Sequence, residues 1–98
     1  MNMQSIMQQA QRMQRDLQKK KDEISGQLFP GKYEFVEVTL NGKKEMVSCK
    51  INKEELAKED IEMLQDMIMI ATNEAMKKVD QMTEQKMGKF SSAMPGLF

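Results

Sequence analysis

Histidine is absent from the 98 residues and cysteine occurs once, at Cys49. Disulfide frameworks, Cys/His zinc sites and histidine-activated nucleophiles are therefore excluded by composition. Cys49 falls on the apolar parity of a predicted strand and is expected to be a small buried hydrophobe. Carboxylates gather at Glu54, Glu55, Glu59, Asp60, Glu62 and Asp66. No glycine-rich phosphate loop or polar pocket motif completes a catalytic site around them, so they are expected to be a solvated helix exterior, and the protein not an enzyme. No cofactor, metal or small-molecule substrate is expected. What remains is the chemistry of cations. The formal net charge is zero, but residues 1–23 carry five positive and three negative charges, residues 53–76 two and seven, and residues 77–98 four and two. Basic character at the two ends of the chain, with an acidic block between, would form a local polyanion-binding surface if the ends meet in space.

The elements that must position these charges are legible in the periodicity. Met3, Ile6, Ala10, Met13, Leu17, Lys20 and Ile24 recur at alternating spacings of three and four, the narrow seam of a helix predicted over about 2–23, capped by Asn2 or Ser5. Short strands are predicted over about 27–29, 33–40 and 45–51, with Pro30 and Gly31 as a turn. A change of apolar parity between Phe35 and Val36 implies either a bulge or cover on both faces. The Asn41–Lys44 stretch reads as a four-residue hairpin loop, which sets Val38 against Val47 and Val36 against Cys49. A helical region is predicted over about 53–88. Asn52 and Glu55 fit a capping box, with Ile51 and Leu56 as its hydrophobic staple. The region reads either as one helix or as a short turn ending near Lys58 with a new start at Asp60. Its broad apolar face at 61–71 is expected to lie across the sheet. Gly88 marks the predicted stop, and residues 89–98 a flexible tail.

The fold class expected is α+β: a long N-terminal helix, a small antiparallel sheet of about three strands and a long C-terminal helix, forming a single domain over 1–88. A chain of this size hides only about 60–65% of its unfolded surface, so a second copy is expected to complete the core. With the two helices side by side, Ile24 would lie opposite about residue 57 and Met3 opposite about 78. The last ten residues of the second helix would then overhang by roughly 15 Å, exposing Val79, Met82 and Met87 to a partner. No apolar run approaches the ~20 residues of a membrane span and the N-terminus lacks a signal core, so no membrane partner and a cytoplasmic location are expected.

In this order and spacing, the segments MQSIMQQAQRMQRDLQKKKDEI, VEVTLNG at 36–42, VSCKIN ending at 52, EDIEMLQDMIMIATNEAMKKV at 59–79 and the closing MPGLF resemble the YbaB/EbfC family of small bacterial nucleoid-associated proteins. The resemblance covers essentially the whole chain. It implies a homodimer joined through its sheet region, with helices projecting as tweezer-like arms that bind double-stranded DNA in the nucleoid. Carried over to the matching segments, the implied DNA-binding residues are Arg12, Arg15, Lys19, Lys20 and Lys21 in the first helix and Lys77, Lys78, Lys86 and Lys89 toward the end of the second. No side-chain set stands out for reading bases, so contact is expected mainly to phosphate or through DNA shape. A competing reading is a prefoldin-like or other protein-binding helical module, because helix, hairpin and helix with methionine-rich seams also suit that architecture.

Overall fold

The computed structural model describes residues 2–93, with side chains described through Gly88. Helix α1 spans Met3–Ser25, strands β1, β2 and β3 span Leu28–Tyr33, Val36–Asn41 and Met46–Ile51, and helix α2 spans Asp60–Ala93. The strands form one antiparallel sheet in the order β1-β2-β3. This is the α+β arrangement expected.

Asn2 starts α1: its backbone is extended and its side-chain oxygen accepts the Ser5 N–H at 2.8 Å, which satisfies one of the helix's orphan donors. The helix ends at Gly26, whose N–H reaches the Asp22 carbonyl at 3.2 Å.

The Pro30–Gly31 pair is not a turn. It lies inside β1, with Pro30 opposite Thr39 and Gly31 opposite Val38. Proline is tolerated because β1 is an edge strand, where a missing N–H need not break a ladder bond. Gly31 is needed for close approach: a Cβ there would collide with the Ala71 carbonyl oxygen and lie 2.8 Å from the Ala75 nitrogen. The reversal comes later, at Glu34 and Phe35, with Glu34 in the left-handed region at φ 53°. That turn accounts for the parity change read from the sequence.

The second hairpin is organised by one side chain. Asn41 Oδ1 accepts the N–H groups of Lys43 (2.9 Å) and Glu45 (3.1 Å), while Asn41 Nδ2 donates to Glu45 Oε1 at 2.9 Å. Lys44 takes φ 63°. The register is corrected by two residues, so that Val38 faces Cys49 and Val36 faces Ile51: the loop closes at Asn41, whose N–H bonds to the Glu45 carbonyl at 3.0 Å, and not at Leu40, and a bulge between Thr39 and Leu40 adds the second residue. An even shift keeps Cys49 and Ile51 on the same face as Val36 and Val38.

One layer of helix covers that face incompletely. Helix α2 packs on β1 and β2, burying Phe29, Val36, Val38 and Leu40 against Met67, Ala71, Ala75 and Val79. It leaves β3 uncovered, every residue of which is exposed. Cys49 is therefore exposed and not buried as its parity implied.

Residues 52–59 are not helical, so neither the Asn52 cap nor the helical reading of 53–59 holds. The Asn52 N–H is taken by the Phe35 carbonyl at 2.7 Å, which ties the end of β3 to the first turn. The following stretch has only Leu56 to bury, and that side chain stays exposed. The helix starts at Asp60, whose Oδ2 accepts the Ala57 N–H at 2.8 Å and the Lys53 ammonium at 3.1 Å. The hydrogen bond from Ala57, then the Lys53 ammonium, holds this carboxyl below its usual range. At the other end, α2 runs through Gly88 to Ala93. The remainder of the expected tail, 94–98, lies outside the described residues.

The predicted helix alignment is reversed. Three strands are an odd number, so the chain enters the sheet at one end and leaves it at the other. Helix α2 starts beside the Glu34–Phe35 turn, where Met63, Met67 and Ile70 share a groove with Tyr33 and Phe35. It then runs back to the Gly42 turn, where Lys44 pairs with Asp80 at 2.7 Å. There it meets the end of α1: Ile24 lies with Gly42, Thr83 and Met87. Val79 and Met87 are consequently buried, not overhanging. It is α1 whose free end lacks cover, with residues 2–16 exposed throughout. The described molecule measures 71 × 20 × 14 Å, with a radius of gyration of 19.3 Å, against about 13 Å for a compact domain of this length.

Candidate nucleic-acid interface

The cations named in the sequence fall into two groups. On α1, Arg12, Arg15 and Lys19 are all exposed. Their spacing of three and four puts them along one side of the helix over about 10 Å. Among the described residues none of the three has an ion-pair or hydrogen-bond partner. The seam of Met3, Ile6, Ala10, Met13 and Leu17 lies on the opposite side of the helix. Only its inner end, Leu17 and Ile24, is buried. Met3, Ile6 and Met13 are 78, 48 and 37% exposed.

The other α1 cations are differently placed. Lys20 is half-buried and lies 3.8 Å from Glu23, and Lys21 lines the cleft with Ile24, Ser25, Thr83 and Met87 on the packed side of the helix. The α2 cations belong to the body of the molecule or to its junction with α1. Lys77 is exposed beside Ile70, Asn73 and Glu74. Lys78 donates to the Pro30 carbonyl at 2.7 Å and sits 3.6 Å from Glu74, fastening β1 to α2. Lys86 is half-buried, and Lys89 is helical in backbone with its side chain outside the described residues. The two helices thus meet near Ile24 and Met87, with the start of α1 away from the contact. The free cation row lies outward from that junction and Lys77 and Lys78 lie inward of it.

The carboxylates collect at the opposite extreme. Glu54, Glu55, Glu59, Glu62 and Asp66 are exposed around the start of α2, about 40 Å along that helix from the junction at Met87. A chain with no net charge therefore has a cationic arm and an anionic foot. The sheet carries further cations outside the predicted set: Lys32 and Lys50 flank Glu37 in one row across the three strands, and Lys43 is exposed at the hairpin tip. The alternation of strand parity was the available signal. Among the described residues no cluster of three or more His, Cys, Asp or Glu side chains is placed to hold a metal ion, and no helix is long and apolar enough to cross a membrane.

An exposed helical arm with an unpaired cation row is the kind of element that contacts a nucleic-acid backbone. The chain belongs to the YbaB/EbfC DNA-binding family, which it matches across residues 1–94. Among its relatives, a nucleoid-associated protein of Ligilactobacillus salivarius (strain UCC118) is 39% identical over 99% of this chain and 95% of its own length. A nucleoid-associated protein of Lactococcus lactis subsp. cremoris (strain MG1363) is 41% identical over 97 and 98%, and one of Pelotomaculum thermopropionicum is 42% identical over 99 and 96%.

Proposed function

We propose that the protein is a nucleoid-associated DNA-binding protein that acts as a homodimer, holding duplex DNA through the α1 arms. The observation that carries this reading is the exposed, unpaired row Arg12, Arg15 and Lys19 on α1, whose outer residues 2–16 are all exposed. Phosphate contact and DNA shape supply most of the affinity. The carboxylates around the start of α2 repel the duplex and confine it to the arms.

Two exposed apolar surfaces favour a second copy. Strand β3 is an unpaired edge bearing Met46, Val47 and Ile51, the latter two 54 and 39% exposed, and α2 leaves it uncovered. The outer seam of α1 is the other. Unpaired apolar edges are association sites in general. The same seam supports a second reading, a prefoldin-like protein-binding module. Solution mass separates the two: about twice 11.4 kDa for the dimer, about six times for a prefoldin-like assembly.

A gel-shift series in rising salt tests the DNA reading. With about four to six phosphates neutralised by a dimer, log affinity falls against log salt with a slope of about −4 to −5. The variant carrying Arg12→Glu, Arg15→Glu and Lys19→Glu is expected to lose binding, whereas Lys77→Glu retains most of it. Equal binding by wild type and the triple variant overturns the arm as the contact surface. Lys78 is left out because its bond to Pro30 makes its loss a folding defect.

A further inference from the structure

Charge is not the whole of the outward face of α1. At about 100° per residue, Gln4, Gln8, Gln11 and Arg15 succeed one another at spacings of four, three and four, and Arg12 and Lys19 border that row. All six side chains are exposed, on the side of the helix opposite the Met3–Ile6–Met13 seam. Among the described residues none of the three glutamines has a hydrogen-bond partner; Gln9 and Gln14 have none either but flank the apolar seam, and Gln18 is engaged by Asp22 at 2.9 Å. Residues 1–11 contain no charged side chain. The face is thus divided along its length, with amides toward the free end and cations toward the junction.

A surface that only held phosphates would place cations along its whole reach, because an amide neutralises nothing. An amide has a different competence. It presents a donor and an acceptor side by side, matching the N6 donor and N7 acceptor of adenine in the major groove. The dimensions agree. A helix about 10–12 Å across fits a groove about 12 Å wide. Gln4 to Gln11 spans about 10 Å, close to three base-pair steps at about 3.4 Å each. Arg15 and Lys19 lie about 6 and 12 Å further along the axis, where a helix leaving the groove crosses the phosphate strand. Because residues 2–16 are exposed on all sides, nothing of the described molecule blocks entry.

We propose that Gln4, Gln8 and Gln11 read adenine edges in the major groove while Arg12, Arg15 and Lys19 hold the flanking phosphates. This inference rests on the DNA-binding reading above, and its test separates the two.

The experiment measures binding of the full-length protein by fluorescence anisotropy to two duplexes, one of alternating A·T and one of alternating G·C pairs, over a range of salt. The variants are Gln4→Ala/Gln8→Ala/Gln11→Ala and Arg12→Ala/Arg15→Ala. Alanine favours helix, so neither set threatens the fold. Wild type is expected to prefer the A·T duplex by about tenfold or more. The glutamine variant loses that preference with its salt slope unchanged. The arginine variant weakens on both duplexes equally, with a slope shallower by about two for each arm engaged. A third duplex, with 7-deazaadenine in place of adenine, lacks the major-groove acceptor but keeps the minor groove. Wild type is expected to fall there to the level of the glutamine variant. Full wild-type affinity on that duplex, an A·T preference that survives loss of the glutamines, or equal affinity for both natural duplexes overturns base reading and leaves DNA binding intact. Failure of wild type to bind any duplex overturns both.

Discussion

Gly31, Gly88 and Cys49 separate what sequence alone conveys from what packing adds. Gly31 and Gly88 both look like punctuation, one beside a proline and one after a lysine-flanked helix. Only the first is sterically constrained. An alanine Cβ at Gly31 meets the backbone of α2, whereas one at Gly88 meets nothing within 4 Å. Gly31→Ala is therefore expected to destabilise the protein by about 1–3 kcal/mol, and Gly88→Ala, inside a continuous helix, to stabilise it by about 0.5–1 kcal/mol. Thermal melts that moved in the same direction for both would contradict this assignment. Asp60 adds a pH prediction. Its carboxyl is held below the usual range by the Ala57 N–H and the Lys53 ammonium. The stabilisation is fully present above the ordinary aspartate pKa and is lost as pH falls through the lowered one. The Ala57 amide resonance should thus follow an acid titration that Asp60→Asn abolishes. Cys49 marks where residue-scale reading ran out. Parity placed it on the helix-facing side of the sheet, but no residue-level signal tells how many strands one helix covers.

At the scale of elements, existence was easier to read than extent. Both long helices, the Asn2 cap and the β2–β3 hairpin were legible, because periods of about 3.6 and 2 persist over many residues. Boundaries were not, because they depend on partners distant in sequence: the Phe35 carbonyl that takes the Asn52 N–H and the α2 backbone that draws Pro30–Gly31 into a strand. The bulge beside Leu40 and the shorter loop each shift the pairing by one residue, and together they keep the same side chains on one face, so alternation could not reveal them. The attachment of α1 rests on few contacts, with Leu17 and Ile24 its buried side chains. Leu17→Ala is expected to cost about 2–4 kcal/mol. The urea midpoint should fall by that amount divided by the denaturant slope m, and α1 amides should lose hydrogen-exchange protection before those of β2. Equal loss in both would mean that the helix and the sheet melt as one unit.

For the molecule as a whole, the expectation of a free helical arm holds with the identity of the arm exchanged. The seam periodicity revealed that apolar surface would be left over, but its location depends on strand count, which decides at which end of the sheet each helix is rooted. Cations were assigned to both helices, and it is chiefly the α1 set that is exposed and unpaired. If β3 is where a second copy joins, Val47→Lys with Ile51→Lys should reduce the solution mass from about twice 11.4 kDa to 11.4 kDa while leaving the circular dichroism spectrum unchanged. An unaltered mass would move the interface to the α1 seam.

The uncovered edge of β3 carries a further geometric meaning. Two copies joined edge to edge with their strands antiparallel are related by an axis perpendicular to those strands. Such an axis sends the two α1 ends in opposite directions and makes a double-ended tether for separate duplexes. An axis running along the strands points both ends the same way and makes a clamp around a single duplex. For a dimer formed in this way, the orientation of its symmetry would decide between linking distant stretches of DNA and gripping one, and a distance between spin labels at position 8 of the two copies would distinguish a long tether from a closed clamp.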